Sequence, residues 1–98
     1  MTLSRRRLDV RGAVQGVGFR PFVHRLAADL QLAGWVANTP MGVAIEIEGP
    51  PRALEAFRRR LEDDRPPLAR IAGLESLELD PASHVGFEIR NSLEGGPP

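Results

Sequence analysis

The chain predicts an α+β sandwich, one antiparallel sheet with two helices on one face, in the order βαββαβ with a short extra C-terminal strand. Three observations predict it. Runs around Val10, Ile45 and Phe87 alternate apolar and polar residues, the period of a half-buried strand. Two segments repeat apolar residues every three or four positions, the period of a helix with one buried stripe. Breaks rich in Gly and Pro separate these runs.

The elements follow in order. Leu8, Val10, Gly12 and Val14 alternate with Asp9, Arg11 and Ala13, giving a first strand. Gln15 to Arg20 interrupts it with two glycines. Pro21 suits the first turn of a helix, where a missing N–H leaves nothing unpaired. Phe22, Val23, Leu26, Ala27 and Leu30 then carry the helix to about Leu32, with Gly34 as its stop. Trp35 to Thr39 reads as a second strand, Thr39-Pro40-Met41-Gly42 as a turn, and Val43 to Glu48 as a third strand in a hairpin with the second. Gly49-Pro50-Pro51 opens a second helix whose stripe is Leu54, Phe57 and Leu61, and Pro66-Pro67 closes that segment. Glu62, Asp63 and Asp64 sit at its unfavourable end, partly offset by Arg65. Leu74, Leu77 and Leu79 mark a less regular fourth strand, and Phe87 to Arg90 a short last one. Each helix has a single stripe to bury, so both cover the same sheet face. This is the ferredoxin-like arrangement, which hosts many unrelated activities.

With 98 residues there is room for one domain. It is expected over residues 1–92, with 93–98 a linker or tail in a polar, Gly- and Pro-rich run that begins at Asn91. The absence of cysteine excludes thiol nucleophiles, disulfides and cysteine metal sites, and suits a cytoplasmic location. His24 and His84 lie too far apart in sequence to suggest a metal site, so neither metal nor cofactor is expected. No apolar run approaches a membrane span, and no membrane partner is expected. The net charge is zero, but unevenly spread: residues 1–25 carry six Arg against the single acid Asp9. That imbalance suggests a local anion site rather than a nucleic-acid track, and four Phe, one Trp and no Tyr make a poor platform for single-stranded RNA.

The chemistry concentrates in Gly12-Ala-Val-Gln-Gly-Val-Gly-Phe-Arg20, a strand running through a glycine loop into a helix. Gly16 and Gly18 can take backbone angles closed to other residues. Successive N–H groups in such a loop converge on an anion, and the helix dipole adds to the attraction. Arg20 supplies a permanent, forked cation matched to phosphate oxygens. The loop lacks the Gly-Lys-Ser/Thr ending of a Walker loop and does not fit Gly-x-Gly-x-x-Gly. On spacing alone, a tight turn with a surface arginine stays equally open.

Two motifs narrow the reading. Val14-Gln-Gly-Val-Gly-Phe-Arg20 and Gly34-Trp-Val-Ala-Asn38, followed by Gly42, resemble the two signatures of the acylphosphatase family, in the same order and at the same spacing. The resemblance spans about residues 7–92. It implies metal-independent hydrolysis of a carboxyl–phosphate anhydride. It makes Arg20 the phosphate-binding arginine, Asn38 the residue that orients the attacking water, and the main chain of Gln15, Gly16, Val17, Gly18, Phe19 and Arg20 the phosphate cradle. Arg20-Pro-Phe-Val-His-Arg-Leu-Ala27 and Pro66-Pro-Leu-Ala-Arg-Ile71 further resemble the N-terminal domain of the carbamoyltransferases of nickel–iron hydrogenase maturation. Free-standing members generally lack those runs, and carry an acid where this chain has Met41 and a Val where it has Ala44. That resemblance implies carbamoyl phosphate as the small-molecule partner and downstream domains of a longer chain as protein partners.

The alternatives at this point are a stand-alone acylphosphatase, a phosphate-binding module without turnover, and an RNA or regulatory domain. His24, Trp35, Phe19 and Phe22 read as packing or surface residues, and His84, in the loop Pro81-Ala-Ser-His84, is assigned no role. Arg5-Arg6-Arg7 reads as a solvated basic end, and Glu46 and Glu48 as the outward side of a strand.

Overall fold

The computed structural model describes residues 2–92, so the proposed 93–98 tail lies outside the described residues. The elements are β1 (Ser4–Ala13), α1 (Phe19–Asp29), β2 (Ala33–Thr39), β3 (Gly42–Gly49), α2 (Pro51–Asp63), β4 (Arg70–Leu79) and β5 (Phe87–Ser92). They form one sheet in the order β4-β1-β3-β2-β5. The first four strands pair antiparallel, as expected; β5 joins β2 in parallel and makes the sheet mixed.

Alternation decides which side chains meet the helices. Leu8 and Val10 of β1, Val36 of β2, and Val43, Ile45 and Ile47 of β3 are buried with Val23 and Leu26 of α1 and with Leu54, Phe57 and Leu61 of α2. Each such side chain contributes roughly 1.5–3 kcal/mol by leaving water. α1 lies over β2 and β5, and α2 over β3 and β1.

Two helix boundaries differ from expectation. α1 begins at Phe19, which still leaves Pro21 in the first turn. It ends at Asp29 rather than Leu32, because Gln31 turns left-handed at φ 58°. The amides of Gln31 and Leu32 then bond back to Ala28 O and Ala27 O, the crossed pair of a Schellman cap. Gly34 is therefore not the helix stop. It lies inside β2 at φ 141°, where a Cβ would run into the carbonyl of Glu46 on β3.

The other sheet face has its own contents. Trp35, Ala37 and Ala44 are buried there, and the guanidiniums of Arg90 and Arg7 lie 4.9 and 5.8 Å from the centre of the Trp35 ring. Glu46 and Glu48 also point to this face, yet they are not solvated: only 7% and 4% of their surface is exposed. The segment between β4 and β5 folds over them. Glu48 accepts the amides of Ala82, Ser83 and His84 at 2.7–3.1 Å. Glu46 bonds Arg5 Nη1 and His84 Nε2, each at 2.6 Å. His84 thus gains a structural partner that its sequence position did not suggest. The amino-terminal arginines are likewise engaged, Arg5 with Glu46, Arg6 with Glu55 and Glu78, and Arg7 with Asp9.

Burial pushes both carboxyls up, but their donors outweigh it. His84 and Arg5 hold Glu46, and the three amides hold Glu48, below the ordinary value of 4.5. The folded chain therefore holds these protons less readily than the unfolded one. Both groups add stability above about pH 4.5, and that contribution is lost as the pH falls through the folded values. Urea midpoints measured between pH 7 and pH 3 should decline on the acid side, and Glu48→Gln should flatten the decline. An equal acid slope in both proteins would contradict this.

Candidate active site

The site forms at one end of the sheet. β1 finishes there, β2 finishes there, and the β2–β3 turn closes it. The chain leaves β1 at Ala13, bends through Val14–Gly18 and enters α1. Gly16 and Gly18 have φ of 74° and 80°, the left-handed region that costs a side-chain-bearing residue about 1 kcal/mol or more. A Cβ at either would meet nothing, so backbone angle rather than space calls for glycine. Gly18 is the helix N-cap, with no side-chain cap and no acid in the first turn.

Among the described residues, no close, well-aligned hydrogen bond engages the amides of Gly16, Val17, Gly18, Phe19 or Arg20; only the weak main-chain contacts of the Gln15–Gly18 turn involve them. The positive end of α1 therefore stays uncompensated by the protein. Side chains brace the loop. The Gln15 carboxamide donates to Thr39 O at 2.6 Å and to Gly42 O at 2.8 Å, tying the loop to the turn. Phe19 is fully buried in the core, and Val17 packs against it, so neither offers more than its main chain. Thr39 Oγ1 accepts the amides of Met41 and Gly42 and shapes the turn.

Arg20 is not aimed at bulk solvent. Its Nη1 donates to Arg90 O at 2.8 Å and to Asn91 O at 3.4 Å, anchoring the guanidinium to β5. Its Nε and Nη2 make no hydrogen bond among the described residues, which leaves one charged edge free for an anion.

Asn38 lies on the helix-covered face of β2, beyond Val36, and pairs in register with Val43 and Ser92. Its Oδ1 is buried and accepts no hydrogen bond among the described residues. A buried acceptor left unpaired costs about 1–3 kcal/mol. With Gln15, Thr39, Pro40, Asn91 and Ser92 it lines a hollow of about 410 Å³. Arg20 is not part of that lining; it touches the hollow's wall through Asn91. A larger hollow of about 580 Å³ lies at the opposite end of the sheet, among Thr2, Leu30, Pro50 and Pro51. It is mostly apolar, with Thr2 and Arg52 as the polar side chains of its lining.

Asn91 and Ser92 are where sequence reasoning fell short. The last strand is expected to end at Arg90, ahead of a polar run that begins at Asn91, yet Asn91 and Ser92 continue it as part of β5. The six-residue strand carries too little alternation to extend past Arg90 by pattern.

A strand–loop–helix with glycine geometry, an arginine of the first helical turn anchored to β5, and an unpaired carboxamide lining a hollow at the same end of the sheet suit a phosphorylated substrate attacked by water. The acylphosphatase family profile matches residues 6–89. The chain belongs to the acylphosphatase family. It is an acylphosphatase-type hydrolase domain, acting on acyl phosphates. It is 54% identical over 93 residues to the carbamoyltransferase HypF of Rhizobium leguminosarum bv. viciae, covering 95% of this chain and 12% of that protein. It is 42% identical to the acylphosphatase of Synechococcus sp., covering 93% of this chain and 91% of that enzyme. Superposed on a full-length HypF crystallised in the phosphate- and nucleotide-bound form, it gives a TM-score of 0.90 at 34% identity, over 96% of this chain and 13% of that one. The acylphosphatase of Bacillus subtilis gives 0.81 at 36% identity, over 91% and 99%. The chain thus spans about an eighth of the HypF proteins and nearly the whole of the free-standing enzymes. No helix among the described residues is long and apolar enough to cross a membrane.

Proposed function

We propose that this acylphosphatase domain binds and hydrolyses carbamoyl phosphate, as the N-terminal part of a cytoplasmic carbamoyltransferase that serves nickel–iron hydrogenase maturation. The observations that carry the chemistry are the amides from Gly16 to Arg20 that have no close protein acceptor, and the Arg20 guanidinium, which is anchored through Nη1 alone. The likeness to HypF at 54% identity supports the larger setting.

In this reading the loop amides and Arg20 bind the phosphoryl oxygens and neutralise the charge that builds on them. The donors are fixed beforehand, by glycine geometry, the Gln15 brace and the β5 anchor, so they need not reorganise during the reaction. Asn38 Oδ1 accepts a hydrogen bond from the attacking water, which also relieves its unpaired state. The water oxygen forms a bond to phosphorus as the bond from phosphorus to the acyl oxygen breaks. Carbamate leaves with that electron pair, and the water's proton passes to a phosphate oxygen, since a carboxamide is too weak a base to take it. The anhydride is already activated, so no protein nucleophile is needed.

The test is phosphate release by the 98-residue chain from carbamoyl phosphate and from acetyl phosphate, with inorganic phosphate as competitor. Turnover of both, competitively inhibited by phosphate, is the expected result. Tight phosphate binding without turnover would replace hydrolysis by the binding-module reading.

A further inference from the structure

We propose that Asn91 reads the acyl end of the substrate, its carboxamide oxygen accepting an N–H of a carbamoyl group. The inference rests on the carbamoyl phosphate reading above and adds to it a residue that sets specificity.

Two observations lead to Asn91. The first is a break in strand register. Ala37 of β2 pairs with Arg90, but the next residue, Asn38, pairs with Ser92. Asn91 is the extra residue between them, a bulge in a parallel pair. Bulges locally re-aim a residue that regular pairing would place elsewhere, and they gather next to active sites. This bulge has two evident results: the carbonyl of Asn91 reaches the Arg20 guanidinium, and Asn91 joins Asn38 in lining the hollow.

The second observation is what remains uncommitted around that hollow. Gln15 uses both amide hydrogens on Thr39 and Gly42. The Thr39 hydroxyl already accepts two amides. Pro40 has no donor, and Ser92 has a partner of its own. The carboxamides of Asn38 and Asn91 are the two whole polar groups left free among the described residues. Asn38 is assigned to the water. Asn91 is then the group available to the other end of the substrate, and its main-chain carbonyl already holds the arginine assigned to the phosphate.

Carbamoyl phosphate and acetyl phosphate make a clean pair of probes. They differ by NH₂ against CH₃, nearly equal in size, and only the first can donate a hydrogen bond. A site that hydrogen-bonds its substrate discriminates against the analogue lacking the donor. The readout is the ratio of kcat/KM for carbamoyl phosphate to that for acetyl phosphate. Asn91→Ala should lower this ratio about 3- to 10-fold, the value of one hydrogen bond in a partly open site. Every substitution at this position keeps the carbonyl that holds Arg20, so the phosphate end is not removed with the side chain. Asn91→Leu, of similar bulk, gives the same reading should the alanine variant fail to fold. A ratio within about twofold of the parent in the folded variant overturns the assignment to Asn91, including the case where Gln15 Oε1 is the acceptor. Turnover of neither substrate by the parent chain overturns the proposed function itself, and the inference with it.

Discussion

Arg20→Ala should lower kcat/KM for an acyl phosphate by about 10³-fold, equivalent to about 4 kcal/mol of transition-state stabilisation. Arg20 is proposed as the sole side-chain cation of the phosphate site. The loop amides alone would leave much of the developing charge uncompensated. Arg20→Lys should recover little of the loss. A guanidinium can hold the β5 carbonyls through Nη1 and still present Nε and Nη2 to the anion. An ammonium is a point charge and cannot hold both with that fork. The weakened anchor should also cost some stability, so urea midpoints belong beside the kinetics. A folded Arg20→Ala protein that keeps its rate within about threefold would remove Arg20 from the mechanism.

Asn38→Ala should lower kcat by about 10²-fold while leaving the fold as stable as before or slightly more so. The two halves of that result separate a functional role from a structural one. A residue kept for packing or for a hydrogen bond would lower stability when truncated. Asn38 Oδ1 is buried without a partner, so its removal relieves a cost rather than creating one. Stability given up at a site that works on substrate is the usual trade. Steady-state kinetics and urea midpoints on the same preparation check both halves. A fall in stability together with an unchanged kcat would make Asn38 a structural residue.

Much of this was legible before any coordinates. Val43, Ile45 and Ile47 alternate because one face of β3 meets the helices, and Leu54, Phe57 and Leu61 repeat because one stripe of α2 does. The paired glycines around Val17 announced a left-handed loop, and Asn38 stood out as a poor strand former late in a strand. The misreadings on the open sheet face share a cause. Glu46 and Glu48 alternate as an exposed side would, because alternation reports which face a residue takes and not what later folds over that face. Their cover comes from Ala82, Ser83 and His84, more than thirty positions away. Arg5 and Arg6 looked solvated for the same reason, their partners Glu46, Glu55 and Glu78 being distant in sequence. Gln31 as the left-handed cap was hidden because glycine is the expected residue there and one stood three positions on. Asn91 was lost in a polar run, since a bulge breaks the very periodicity by which strands are found.

The direction of the last strand has a consequence for architecture. Because β5 runs alongside β2 in the same sense, Ser92 and Asn38 are neighbours. Any module fused after Ser92 would set out from the end of the sheet that carries Asn38 and the hollow beside it, and one fused ahead of Ser4 from the opposite end.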